Sequence, residues 1–177
     1  RLPDGTEITE DNEAFRSTQY YIYLNKIAES VTAKYPQMEI RTLGYIYAAV
    51  PPKIKLHPKI QITYCPYPKT FKFDIDHPQN KKWGDRSRDW ATVSDRIGIF
   101  EYYGDGNDFC RPIADTAAED MQIWNKLGIN YFISTETYPD YRRPVTKEDS
   151  LAGSWDVAAV EYWVLARLFV DSSQDPQ

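Results

Sequence analysis

Apolar positions along this chain fall into two alternating rhythms. Tyr20, Leu24, Ile27 and Val31 return at helical intervals. They predict a helix from a Ser17 cap to about Tyr35, ended by Pro36. A β-rich run follows, Glu39 to Ala49, centred on Arg41-Thr42-Leu43-Gly44-Tyr45-Ile46-Tyr47 and closed by Pro51-Pro52, since proline cannot serve a central ladder. Ile60 to Cys65 predicts a second strand, stopped by Pro66 and Pro68. Gln79 to Val93 predicts a polar helix with Trp83, Arg86, Trp90 and Val93 on one face. Arg96 to Tyr103 is the clearest strand, β-branched and aromatic, stopped by Gly104-Asp105-Gly106-Asn107. Asp115 then caps a helix through Ala117, Met121 and Trp124, and Gly128 suits its C-terminal turn. Ile129 to Ser134 is a short strand leading to Thr135-Glu136, and Tyr138 to Ser150 is a polar loop. Trp155 to Val170 is apolar nearly all round and expects cover on several sides. Residues 1–14 predict an irregular lead-in and 171–177 a frayed tail.

Strands alternating with helices predict a single α/β domain with a parallel sheet. Four strands are half of an eight-stranded (β/α)8 TIM-like barrel, or a small open sheet. The apolar last helix and the fragment-like start favour part of a larger barrel. A cut barrel leaves an edge strand, so the expectation is a homodimer or the remainder of the parent barrel to cover it.

Composition narrows the function classes. Aromatic residues make up 15%, with 14 Tyr and 5 Trp, so the rings either fill a core or line a carbohydrate cleft. A net charge of −5 argues against a broad nucleic-acid surface, though not against a local basic patch. Lys81, Lys82, Arg86 and Arg88 are most simply a solvated helix face. No apolar run reaches the roughly 18 residues of a membrane span, and the N-terminus has no signal core. Cys65 and Cys110 neither demand nor exclude a disulfide. Asp74, Asp76, His77 and Cys65 follow one strand, but their spacing fits no standard zinc or calcium pattern. Asp105-Gly106-Asn107-Asp108 lacks the rest of an EF-hand. No Gly-rich phosphate loop, nucleophile elbow or His-Glu-x-x-His motif occurs, and no metal or cofactor is expected.

Several ordered segments together point to a family. They are Tyr23-Leu24-Asn25-Lys26-Ile27-Ala28 with Tyr35-Pro36, then Ile40 to Tyr45 with Pro51-Pro52. Cys65-Pro66, Asp76-His77-Pro78 and Asn80 come next, then Trp90, Ser94-Asp95-Arg96 and Phe100-Glu101-Tyr102. Gly128-Ile129 and Leu165-Ala166-Arg167-Leu168-Phe169 close the series. Over about residues 15 to 175 the chain resembles the bacterial domain of unknown function 4838, a family of glycoside-hydrolase-like barrel proteins. The resemblance implies a carbohydrate partner and an extracytoplasmic location. Two positions depart from the pattern. Glu101 stands where the family carries Asp, and the last strand's Glu is expected nearer Ser134 than Glu136.

Glu101 and Glu136 end consecutive predicted strands, and neighbouring parallel strands lie roughly 5 Å apart. Two carboxylates at a barrel mouth are what glycoside cleavage uses, one as acid and one as base or nucleophile. Tyr102, Tyr103 and Tyr138 would desolvate an acid and stack on sugar faces, and Tyr45 would shape the same site. The competing reading leaves both acids solvated or paired with Arg41, Arg96 or Arg142. Two further alternatives are a non-catalytic carbohydrate-binding module and a structural fragment whose parent enzyme keeps its acids elsewhere.

Overall fold

The computed structural model describes residues 2, 4–103, 113–129, 131–134, 154–171 and 173. Its elements are α1 (Phe15–Lys34), β1 (Ile40–Gly44), a 3-10 turn (Ile46–Ala49), β2 (Ile60–Tyr64), a second 3-10 turn (Pro78–Asn80), α2 (Lys81–Val93), β3 (Ile97–Glu101), α3 (Ala114–Lys126), β4 (Tyr131–Ser134) and α4 (Ser154–Val170). The sheet runs β1-β2-β3-β4, each strand parallel to its neighbour. The α/β class and parallel sheet are as the sequence predicts.

Every described helix that touches the sheet covers the same face. Ile60, Ile62 and Tyr64 of β2 and Ile97 and Ile99 of β3 alternate onto that face. They form one core with Tyr21, Leu24 and Ala28 of α1, Trp83 and Trp90 of α2, and Trp124 of α3. A doubly wound sheet places helices on both faces. Sequential strand order with one-sided helices is the winding of a barrel, so the chain is consistent with part of a (β/α)8 barrel. The opposite face carries Arg41 and Leu43 of β1, in register with Gln61 and Thr63 of β2, then Gly98 of β3, in register with Thr63, and Phe100 two residues further on. Leu43 is 55% exposed there, and no described helix lies over it.

The element bounds hold physical lessons. Helix α1 starts earlier than a Ser17 cap would set it, and Ser17 is buried inside it, its Oγ donating to Ala14 O at 3.0 Å. The buried stripe is Ser17, Thr18, Tyr21, Leu24 and Ala28, so the face is rotated from the Tyr20–Val31 line. Tyr20 instead shares a 2.7 Å hydrogen bond with Thr42 Oγ1. The β1 run ends at Gly44 because Ile46, at φ 54°, turns the chain into the 3-10 segment. Helix α3 ends in a Schellman motif. Gly128, at φ 79°, donates to Asn125 O at 2.9 Å, and Ile129 N–H donates to Trp124 O at 2.9 Å.

Buried polar groups in the main core are largely matched. Trp90 Nε1 donates to Ala49 O at 3.1 Å, and Trp124 Nε1 to Ser87 Oγ at 3.1 Å. A second core joins Tyr103, Ile113, Ala117, Ala118 and Met121 to Val164, Leu165 and Leu168 of α4, with Phe132 packed against both clusters. Among the described side chains of α4, Val164, Leu165 and Leu168 are buried, whereas Val160, Trp163 and Val170 are exposed. None of the described helices is long and apolar enough to cross a membrane.

Candidate functional site

The C-terminal end of β3 delivers Glu101 into the layer between sheet and helices. Ile97, Ile99 and Glu101 share one face by strand alternation, and the first two lie in the helix-side core. Glu101 is 2% exposed. Its Oε2 accepts from Tyr102 N–H at 2.9 Å, while Oε1 is buried without a hydrogen-bond partner. Lys69 Nζ lies 3.6 Å from that Oε1, an ion-pair distance beyond hydrogen-bond reach.

Lys69 itself is fully buried and engaged elsewhere. Its Nζ donates to Asp120 Oδ2 at 2.5 Å. The same ammonium lies 5.0 Å from the Phe71 ring centre and 5.2 Å from that of Tyr103. Asp120, on α3, also accepts from Tyr103 O–H at 2.6 Å and from Ile75 N–H at 2.6 Å. Two buried acids thus face one buried cation. The loop that carries Lys69 is held by Asn80, whose Oδ1 accepts from Thr70 N–H at 2.9 Å. Its Nδ2 lies 2.9 Å from each of the carbonyl oxygens of Thr70, Phe73 and Asp74.

Burial governs the proton equilibria. It pushes the Glu101 carboxyl up to about 7, with Lys69 pulling down, Asp120 pushing up and the Tyr102 N–H pulling down. Burial also raises Asp120, opposed by Lys69, Tyr103 and the Ile75 N–H. The two carboxylates raise Lys69 against its own desolvation, so the amine stays charged. Burial and then the neighbouring acids lift the Tyr103 phenol well above its ordinary range. Cys65 is a buried free thiol that burial pushes up to about 11.

A separate aromatic rim lies beside this cluster. Tyr45 and Tyr67 rings are 6.3 Å apart, Tyr67 and Tyr102 4.8 Å, and Tyr102 and Phe100 5.1 Å. Phe100 belongs to the open sheet face, and Tyr67 is 43% exposed. The sequence-predicted residues therefore divide. Tyr45 and Tyr102 join the rim, while Glu101 and Tyr103 go inward to Lys69 and Asp120. Glu136, Tyr138, Arg142, Cys110 and the Asp105–Asp108 turn lie outside the described residues. Of the arginines expected as competitors, Arg96 pairs with Glu39 at 2.7 Å.

Lys69, Asp120 and Tyr67 escaped the sequence reading. Asp120 had a signal: it sits on the Ala117–Met121–Trp124 stripe, where an acid among apolar positions marks a buried partner. Lys69 and Tyr67 lie among prolines, where no periodicity speaks for them. In the 74–77 loop, Asp74 Oδ1 accepts from Asp76 N–H at 2.7 Å and His77 Nδ1 accepts from Gln79 N–H at 3.2 Å. These are turn contacts, and Asp76 pairs with Arg88. Among the described residues no group of three or more His, Cys, Asp or Glu could hold a metal ion. Two grooves of about 490 and 430 Å3, bordered by Lys53, Ile54 and Lys55, contain none of the Glu101 cluster.

A family model described as Domain of unknown function (DUF4838) matches residues 3–177. No curated protein and no solved structure matches the chain.

Proposed function

The chain belongs to the DUF4838 family, and from that premise we propose that it is a carbohydrate-active, glycoside-hydrolase-like barrel segment whose acid is Glu101. One observation carries the reading. A carboxyl at the C-terminal end of a parallel strand, beside an aromatic rim, is buried, and burial pushes it up to about 7. Glycoside cleavage needs such a group, because a leaving sugar oxygen must be protonated as the bond to the anomeric carbon breaks. An ordinary carboxyl is ionised at neutral pH and has no proton to give. Asp120 is a poor second acid for that reaction, since its oxygens already serve Lys69, Tyr103 and Ile75. The base or nucleophile in this reading is Glu136, two residues beyond β4 in the sequence. Tyr45, Tyr67 and Tyr102 form the stacking rim for an oligo- or polysaccharide. Extracytoplasmic glycan is the natural substrate pool for such a segment. Hydrolysis of aryl glycosides and of polysaccharide mixtures tests it, with Glu101→Gln expected to lose turnover of natural glycans by at least about a hundredfold. Full activity in that variant ends the acid assignment.

The burial of Glu101 favours a second reading, non-catalytic sugar binding at the rim alone. In that case Tyr67→Ala and Tyr102→Ala weaken glycan binding in calorimetry, Glu101→Gln leaves it unchanged, and no product appears.

A further inference from the structure

We propose that Asp120 is a positioning residue that keeps the proton on Glu101, by holding the Lys69 ammonium to itself so that Glu101 stays neutral. The inference deepens the acid role given above and rests on that role for its use, but the proton arrangement stands on geometry alone. Three elements converge: the loop after β2 brings Lys69, β3 brings Glu101 and α3 brings Asp120, all buried. One cation faces two acids, so full ionisation would leave a net negative charge in the core, which low polarity opposes. Binding one proton makes the cluster neutral.

The contacts decide which acid takes that proton. Asp120 receives three donors: the Lys69 ammonium at 2.5 Å, Tyr103 O–H at 2.6 Å and Ile75 N–H at 2.6 Å. Glu101 receives one, the Tyr102 N–H at 2.9 Å, and Lys69 stops 3.6 Å short of its second oxygen. Donors to a carboxylate favour its charged form, so Asp120 is the anion and Glu101 the acid. The remaining titratable neighbours do not alter this order. Tyr64 from β2, Cys65 after it, and Tyr102 and Tyr103 after β3 are all raised and therefore neutral in this range. The phenyl and phenol faces of Phe71 and Tyr103 help to keep the lysine charged in place. Because the two acids are coupled, their protons leave in two steps that belong to the pair, the first drawn mainly from Asp120.

The test is a carbon-13 NMR titration of the intact chain with labelled Asp and Glu carboxyls, assigned through the backbone. The expected result is Asp120 already ionised while Glu101 is still protonated, with Glu101 losing its proton near neutrality. Asp120→Asn keeps the side chain's shape but releases Lys69 toward Glu101. It should lower the Glu101 midpoint by about one pH unit or more, a tenfold change in proton affinity. Glu101 ionising before Asp120 in the unaltered chain overturns the proposal, as does a midpoint unmoved by Asp120→Asn. Should that variant fail to fold, the order of ionisation in the unaltered chain still decides. No substrate enters the titration, so inactivity toward glycans and failure of the proton arrangement are read separately.

Discussion

A carboxyl that folding strips of water makes stability depend on pH. The Glu101 carboxyl has an ordinary value of 4.5 and is raised to about 7 in the folded chain. Below the lower value both states hold the proton. Between the two, the folded chain keeps a proton that the unfolded chain has released, so stability falls as pH rises through this window and levels off above it. The expected loss is roughly 3 kcal/mol from this group, and Glu101→Gln should flatten the slope. Urea unfolding at several pH values across the window checks it, and equal slopes in the two proteins would count against the assignment. A second residue-scale case is Ile46, a β-branched side chain at φ 54° that is 74% exposed. Its branching is strained there and little packing would be lost on replacement. Ile46→Asn should stabilise the chain by about 0.5–1 kcal/mol in a urea titration. Glu101 was legible as a residue because a lone carboxylate ended an apolar strand. Its inward direction was not, because alternation along a single strand does not say which face the helices cover.

Among the elements, α2 depends on having no side chain at one point. A Cβ on Gly84 would sit 2.6 Å from Ile75 O and 3.2 Å from an Arg88 nitrogen. The backbone carbonyl cannot swing aside without disturbing Ile75, whose side chain is in the main core and whose N–H holds Asp120. Alanine gains about 1 kcal/mol of helix propensity. The clash should still win, for a net destabilisation of about 1–3 kcal/mol, seen as a lower urea midpoint with an unchanged m-value. The α2 sequence announced its tryptophan face correctly, and Trp83 and Trp90 are buried as the spacing implied. The need for glycine was invisible, since a close approach by a loop leaves no periodic trace. Helix α1 was placed well but rotated: several of its residues are apolar on more than one face, and Tyr20 packs at the margin of the core with its hydroxyl bonded to Thr42 of β1. For α4, composition announced burial, yet Val160, Trp163 and Val170 remain exposed among the described residues.

At the scale of the molecule, β2 and β3 are flanked by strands on both sides, whereas β1 is the outer strand of the sheet. Ile40 N–H donates toward β2, at Lys59 O, so the alternate groups of Arg41 and Leu43 point away from it. Hydrogen exchange should therefore be slowest at the inner strand amides and clearly faster at Arg41 and Leu43. Equal protection would mean that something pairs with that outer edge. The parallel order was legible from the alternation of strands and helices. The one-sided winding was legible only as the barrel alternative to a small open sheet, and it becomes explicit once Tyr21, Trp90 and Trp124 meet on a single face. That winding divides each strand between two kinds of selection. Helix-facing positions such as Ile62 and Ile99 can vary only as the interior allows, while Arg41, Gln61 and Phe100 can change without loosening it. New recognition could thus evolve on alternate residues at little risk to folding, up to the strand's last carboxylate, where both pressures fall on one side chain.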